Sequence, residues 1–363
     1  METISVQLGS RSYPICLGSD LSERFPAYVK EMFPGRRLAL ITNTTLAALY
    51  KETLERWEKE LSFFKVVIPD GEKYKTVSTW ESVLDSLLSI RLDRTAVIIA
   101  FGGGVVGDIA GFAAACYLRG VTCIQVPTTL LAMVDSSVGG KTGVNHSSGK
   151  NLIGAFHQPS LVWVDTAFLN SLPPRQFVTG YAELFKYAFI GGADMFSFVM
   201  SHHTDMMMKN KDVLAEGIRR SIAIKARIVG EDEKEESGVR AMLNFGHTFA
   251  HSLERFFRFS GIFHGEAVLL GIACACKLGL RAGTIAEADK DAFAAILTKL
   301  PSVRLPSKPD IEKLYDGMFS DKKAAQGTLR FILPSRPGFS VMKSEISRQE
   351  VLDTLNEVFS RRS

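Results

Sequence analysis

At 363 residues the chain is long enough for two domains, each with a sizeable core. Its 46% hydrophobic and 23% charged residues are the composition of a soluble globular protein, and a net charge of +4 without a polybasic tract argues against nucleic acid or a membrane as the main partner. The opening Met-Glu-Thr-Ile-Ser-Val lacks the basic and apolar regions of a secretion signal, and no apolar run reaches the ~18 residues of a membrane span. The five cysteines, Cys16, Cys116, Cys123, Cys274 and Cys276, contain no Cys-x-x-Cys pair, so a reducing cytoplasm is the expected compartment.

The first 165 residues alternate short apolar runs with amphipathic stretches. Strands are expected at Ile4–Leu8, Tyr13–Leu17, Arg37–Thr42, Phe63–Ile68, Ala96–Phe101, Thr122–Val126 and Leu161–Val164, with helical stretches such as Thr45–Leu61 and Val77–Ile90 between them. Apolar strands separated by helices predict a mainly parallel sheet covered on both faces, with ligands beyond the strand C-termini. At the end of the fourth strand, Pro-Asp-Gly-Glu-Lys-Tyr-Lys (69–75) offers Asp70, Glu72 and Lys75; taken alone it is a surface turn. The fifth strand runs into Gly102, Gly103, Gly104, Val105, Val106, Gly107 and Asp108, which satisfies G-x-G-x-x-G. Glycines there let backbone N–H groups reach a pyrophosphate at a helix N-terminus, although by itself the motif is also a tight turn. No acidic residue stands about 20 positions further on at a strand end, so an NAD ribose would have to be held from elsewhere.

Residues 126–145 contain Gly-Lys-Thr, but a nucleotide P-loop needs a glycine where Asp135 stands, and that reading fails. The segment is expected to be a long functional loop, with Lys141 and Lys150 supplying cation density for phosphate. Pro173–Pro174 marks the expected domain boundary, 1–172 being α/β and 173–363 helical, with a strand at Leu329–Leu333. In the second half, Glu183 and Lys186 are i,i+3 neighbours, Lys225 sits among apolar residues, and Glu231–Glu236 reads as a solvated helix end.

Read as one helix, Arg240, Asn244, His247, His251, Glu254 and Arg258 fall within a stripe of roughly 80°, with Met242, Phe245, Phe249, Leu253 and Phe256 opposite. That face carries two of seven histidines, and a third, His264, opens the next apolar run. His247 and His264 with one carboxylate would make a three-ligand metal site with open positions, suited to polarising a substrate oxygen. His247 and His251 have the i,i+4 spacing of a zinc protease helix, but the H-E-x-x-H glutamate is missing, which excludes that chemistry.

These segments together resemble 3-dehydroquinate synthase over nearly the whole chain. The resemblance rests on Pro-Asp-Gly-Glu-x-x-Lys (69–75), Gly-Gly-Gly-Val-Val-Gly-Asp (102–108), residues 127–142, Gly-Lys-Asn-x-Ile-Gly-Ala-Phe-x-Gln-Pro (149–159) and Ala-Glu-x-x-Lys-Tyr (182–187). It continues through Leu-Asn-x-Gly-His-Thr-x-x-His (243–251), His-Gly-Glu-Ala-Val (264–268) and Asp-Lys-Lys (321–323). It implies a Rossmann-like α/β domain followed by an all-α metal-binding domain. The implied enzyme converts 3-deoxy-D-arabino-heptulosonate 7-phosphate to 3-dehydroquinate and phosphate in the shikimate pathway. NAD takes a hydride from C5 and returns it, and phosphate elimination, ring opening and aldol closure complete the reaction.

Carried over residue by residue, the resemblance makes Glu183, His247 and His264 the ligands of one zinc or cobalt ion. NAD is implied on Asp70, Gly71, Glu72, Lys75, Gly102–Asp108, Thr128, Thr129, Lys141, Lys150 and Phe168, Leu169, Asn170 and Ser171. Lys141, Asn151, His251 and Lys322 or Lys323 would face the substrate phosphate, and Lys225 and Arg240 its carboxylate. Asp135, Lys186 and Asn244 would contact hydroxyls. Arg119 would reach a neighbouring subunit's site, implying a homodimer that takes a phosphorylated sugar acid. The chain has Thr42–Asn43 where the family often has Thr-Asp, a departure that falls on a cofactor contact, whereas Phe185, Phe189 and Ala250, where the family commonly has Ile/Val, Ile and Gly, are expected to alter packing rather than chemistry. The rival readings are another sugar-phosphate cyclase, of the 2-deoxy-scyllo-inosose or valiolone type, and a metal-dependent polyol dehydrogenase.

Overall fold

The computed structural model of the chain describes residues 1–319 and 329–360. Asp321, Lys322 and Lys323 lie outside them. The chain divides into one unit of Met1–Pro173 with Lys225–Lys234, and a second of Pro174–Ile224 with Glu235–Ser363. The Pro173–Pro174 pair thus sits at the break. The return of Lys225–Lys234 to the first unit has no counterpart in the sequence pattern.

The first unit contains, in chain order, β1 (Glu2–Val6), β2 (Tyr13–Gly18), α1 (Phe25–Met32), β3 (Leu38–Asn43), α2 (Thr44–Leu49), α3 (Lys51–Leu61), β4 (Phe64–Ile68), α4 (Val77–Ser89), β5 (Val97–Gly102), α5 (Gly104–Cys116), β6 (Thr122–Pro127), β7 (Lys141–His146), β8 (Gly149–Phe156) and β9 (Leu161–Asp165). Seven strands form one sheet in the order β1-β2-β9-β6-β5-β3-β4, parallel except for β1. Burial explains the composition. Central β3, β5 and β9 are buried along their whole length and are apolar up to Thr42–Asn43 at the end of β3 and Asp165 at the end of β9, whereas edge strand β4 leaves Phe64 and Val67 exposed. One sheet face packs Ala39, Ile41, Ile98 and Ala100 against Val83 and Leu87 of α4 and Ile109 and Ala113 of α5. Aromatic rings fill the other, where Trp57 lies 4.3 Å from Phe25 and 5.6 Å from Phe101 between ring centroids. The Thr45–Leu61 stretch is two helices, because Tyr50 leaves helical geometry at φ −109° and ψ 29°.

The expected long loop at 126–145 is largely ordered secondary structure. Residues Ala132–Ser136 form a π-helical turn, and β7 pairs antiparallel with β8 in a separate two-stranded sheet. Gly111 lets α5 press onto that hairpin, since a Cβ there would lie 2.5 Å from Thr142 Cγ2.

The second unit holds α6 (Pro174–Lys186), α7 (Ala193–Met207), the first part of α8 (Lys211–Glu231), α9 (His247–Phe256), α10 (His264–Arg281), α11 (Lys290–Leu297), α12 (Ile311–Met318), the hairpin of β10 (Phe331–Arg336) and β11 (Phe339–Lys343), and α13 (Arg348–Phe359). No helix among the described residues is long and apolar enough to cross a membrane. The single helix expected through Arg240–Arg258 is not formed. Arg240–Asn244 is a 3-10 turn, Gly246 takes a left-handed φ of 78°, and α9 starts afresh at His247. The break allows close packing: a Cβ on Gly246 would lie 2.9 Å from Ile272 N, and one on Gly271 would lie 2.1 Å from Gly246 O. Helices α9 and α10 therefore touch backbone to backbone, which brings their N-terminal histidines near each other. Phe185 and Phe189 lie in a buried aromatic cluster beside this region, where Phe189 stacks on Phe245 at 4.7 Å.

Candidate active site

Three helices of the second unit place Glu183 (α6), His247 (first residue of α9) and His264 (first residue of α10) in one group, with a ligand atom from each lying within 4.8 Å of the others. Glu183 Oε1 lies 3.4 Å from His247 Nε2 and 3.2 Å from His264 Nε2. The other ring nitrogens face acceptors: His247 Nδ1 is 3.1 Å from Phe245 O and His264 Nδ1 is 3.3 Å from Glu254 Oε2. Each Nδ1 can then carry the proton, leaving two Nε2 lone pairs turned toward one carboxylate oxygen. Lone pairs so arranged repel unless a cation or a shared proton lies among them. Two imidazoles and a carboxylate are a zinc or cobalt donor set, so the residues present fit a divalent transition metal.

In the absence of a metal, a proton shared between His264 and Glu183 takes the cation's place. Glu183 is fully buried, and Lys186, 1% exposed, holds its Nζ 2.5 Å from Glu183 Oε2. The pair that would be a surface ion pair by spacing alone is a core pair. Burial would push the Glu183 carboxyl up, but Lys186 and His247 outweigh it and hold the carboxyl well below its usual range. Burial lowers His247. His264 is lowered by burial too, but Glu254 and Glu183 outweigh it and raise the imidazole to about 10. His251, one turn along α9, has its ring 5.4 Å from His247 and 6.5 Å from His264 and is not part of the metal group found among the described residues. Arg240 is buried, and Asn244 Nδ2 donates to Glu235 Oε1 at 3.2 Å.

Glycine controls the approach of the ligand helices. A Cβ on Gly265 would lie 2.2 Å from Thr179 O and 2.4 Å from Thr179 Cα, so α10 meets α6 directly beside two ligands. Arg175 locks the same junction, with Nε and Nη2 donating to Glu266 at 2.7 and 2.8 Å. Gly265→Ala should therefore push α10 off α6, costing about 1–3 kcal/mol of stability as other overpacked cores do. It should also weaken metal binding; denaturant unfolding and metal titration of the variant check both.

In the first unit, α5 begins beyond β5 with Gly103 as its cap residue. A Cβ on Gly103 would lie 2.9 Å from Thr129 Cγ2, and one on Gly107 would lie 2.8 Å from Gln125 Oε1. Gly107 thus serves close helix–strand packing, as the third glycine of a dinucleotide fingerprint does. Thr128 N donates to Gly102 O at 3.0 Å, while Thr128 Oγ1 is buried without a hydrogen-bond partner among the described residues. A helix N-terminus free of side chains and a waiting hydroxyl fit a dinucleotide pyrophosphate.

Around this cradle the predicted residues form three polar groups. Buried Lys75 donates to Asp108 Oδ2 and to Asn151 Oδ1, the latter at 2.6 Å, and Glu72 accepts from Asn145 at 2.8 Å. Burial would lower the Lys75 ammonium, but Asp108 and Glu72 raise it. Asp70 accepts from Asn43 Nδ2 at 2.8 Å and Thr45 Oγ1 at 2.7 Å, while Asn43 Oδ1 caps α2. Asn43 thus has a structural partner at each end of its amide. The third group pairs Lys225 Nζ with Asp135 Oδ1 and Asp135 O, both at 2.5 Å; Lys225 does not snorkel into solvent. Phe168–Ser171 lie in a 3-10 turn after β9, and Tyr50 OH meets Ser171 Oγ at 2.5 Å. Lys141 and Lys150 stand on β7 and β8. Exposed Arg119 sits in left-handed backbone at φ 68° and makes no ion pair among the described residues.

The sequence pattern assigns no role to two residues. Tyr50 was hidden inside an apparent helix. Glu254 lay on the polar stripe, and its spacing seven residues after His247 was the available signal.

The N-terminal model of 3-dehydroquinate synthase matches residues 65–179 and the C-terminal model of the same enzyme matches residues 180–324. A 3-dehydroquinate synthase of Azotobacter vinelandii is 44% identical over 358 residues, covering 98% of this chain and 97% of that protein. Among solved structures, 2-deoxy-scyllo-inosose synthase complexed with carbaglucose-6-phosphate, NAD+ and Co2+ aligns with a TM-score of 0.87 at 27% identity, covering 98% of this chain and 99% of the other. A 2-epi-5-epi-valiolone synthase from Streptomyces hygroscopicus with NAD+ and Zn2+ bound has a TM-score of 0.86 at 27% identity, covering 96% and 97%. The cyclases share the architecture at 27% identity, whereas identity to the Azotobacter vinelandii 3-dehydroquinate synthase is 44% and both family models match, and on that ground the chain belongs to the 3-dehydroquinate synthase family.

Proposed function

We propose that this chain converts 3-deoxy-D-arabino-heptulosonate 7-phosphate to 3-dehydroquinate and phosphate, acting as a carbon–oxygen lyase of aromatic biosynthesis. The reading is carried by full-length identity to 3-dehydroquinate synthases. It is supported by the meeting of Glu183, His247 and His264, with both Nε2 atoms turned to one carboxylate oxygen. When bound, a zinc or cobalt ion would polarise the C5 hydroxyl and NAD would accept the C5 hydride and return it.

The chain's own residues bind and orient. Glu183, His247 and His264 hold the metal, and Lys186 compensates the buried carboxylate. Gly102, Gly103, Gly104, Val105, Val106, Gly107 and Asp108, with Thr128 and Thr129, receive the NAD pyrophosphate. Asp70, Gly71, Glu72 and Lys75 receive a ribose, and Lys141, Lys150 and Phe168–Ser171 complete the cofactor set. A substrate with a dianionic phosphate and a carboxylate needs several fixed cations, each forming a charge-assisted hydrogen bond. Lys141, Asn151, His251 and Lys322 or Lys323 serve the phosphate, and Lys225 and Arg240 the carboxylate. Asp135, Lys186 and Asn244 take hydroxyls, and Asp135 also keeps the Lys225 ammonium oriented before substrate arrives. Arg119, which is exposed, is assigned to the neighbouring site of a homodimer. The compartment is the cytoplasm.

Phosphate should be released continuously from the heptulosonate phosphate with no NADH accumulating. A chelator should abolish release, and added zinc or cobalt should restore it. Stoichiometric accumulation of NADH would instead identify a polyol dehydrogenase and overturn the proposal.

A further inference from the structure

We propose that Glu254 is a positioning residue of the metal site, accepting the Nδ1 proton of His264 so that this ligand presents its Nε2 lone pair inward. The inference deepens the metal reading above and rests on it.

Glu254 is 2% exposed, and its Oε2 lies 3.3 Å from His264 Nδ1. Seven residues after His247, it falls on nearly the same face of α9 two turns on. One helix thus supplies both a ligand, His247, and the group that orients the ligand from α10. The two histidines are backed differently. His247 Nδ1 meets a neutral backbone carbonyl, Phe245 O, at 3.1 Å, whereas His264 Nδ1 meets a carboxylate. An anionic acceptor fixes the tautomer and ring orientation and makes the ligating nitrogen more basic, and losing such a partner typically weakens metal binding by about 10–100-fold.

The alternative is a purely structural role, in which Glu254 pairs with a protonated His264 and contributes only to folding. Zinc affinity, measured by competition with a chromophoric chelator, and the visible spectrum of the cobalt-loaded protein separate the two roles. Glu254→Gln keeps shape and an acceptor oxygen but not the charge. It should bind zinc about 10–100-fold more weakly than wild type and shift the cobalt absorption. Glu254→Ala, which removes the acceptor as well, should bind more weakly still. If the Gln variant does not fold, Glu254→Asp keeps the charge but shortens the reach and should also weaken binding. Wild-type affinity with an unchanged cobalt spectrum, in whichever variant folds, would overturn the positioning role while leaving the metal reading intact. Failure of the wild-type protein to bind zinc or cobalt would overturn both.

Discussion

His247→Ala is expected to lose its metal, while His251→Ala keeps metal and loses turnover. The two histidines share a helix face and stand one turn apart, so helical spacing alone treats them alike. The structure separates them. His247 Nε2 lies 3.4 Å from the buried Glu183 carboxylate, with its Nδ1 committed to Phe245 O, whereas His251 is outside the ligand group. Structural zinc sites bind with ~10–16 kcal/mol spread over four ligands, a few kcal/mol each, so removing His247 should weaken binding by about 10²-fold or more. His251→Ala should cost on the order of 10²–10³ in kcat, as loss of one preorganised donor does elsewhere. Metal content of the purified variants, measured beside their rates, checks the split. Equal metal loss in both would contradict it.

Lys186→Met should destabilise the metal-free protein by about 3–5 kcal/mol, the usual cost of stranding one member of a buried ion pair. The magnitude follows from burial: Lys186 is 1% exposed and Glu183 is not exposed at all, so water cannot replace the missing charge. Metal should recover much of the loss, because an ion bound only by the folded state adds about 4 kcal/mol at a thousandfold excess over its Kd. Unfolding curves with and without zinc check both halves. A metal-free variant as stable as wild type would show that Lys186 does not compensate Glu183.

The sheet was legible because its strands are buried on both faces. Runs such as Val97–Gly102 and Leu161–Asp165 stand out as apolar blocks, and their ends fell within a residue or two of expectation. The hairpin β7–β8 was not legible, because its pairing depends on glycines that erase any alternation. A Cβ on Gly143 would lie 2.4 Å from Ile153 O and one on Gly154 would lie 2.0 Å from Thr142 O, so the two strands approach too closely for side chains at those positions. The helix through Arg240–Arg258 failed for a related reason. Helical arithmetic assumes an unbroken helix, and Gly246 breaks it for the sake of α9–α10 contact. Of the metal group, periodicity reached only the histidines. Glu183 comes from a helix some sixty positions earlier, a separation no local pattern spans, and only the resemblance to a family supplied it. Lys322 and Lys323 lie outside the described residues, so the choice between them stays with mutagenesis.

Substrate choice tests the central claim most directly, because the cyclases that share this architecture include one solved with a glucose-6-phosphate analogue. Phosphate release should be followed with the purified, metal-loaded protein and NAD, offering 3-deoxy-D-arabino-heptulosonate 7-phosphate and glucose 6-phosphate in parallel. Release from the heptulosonate phosphate alone, with 3-dehydroquinate as product, is the predicted result. Turnover of glucose 6-phosphate instead would contradict it.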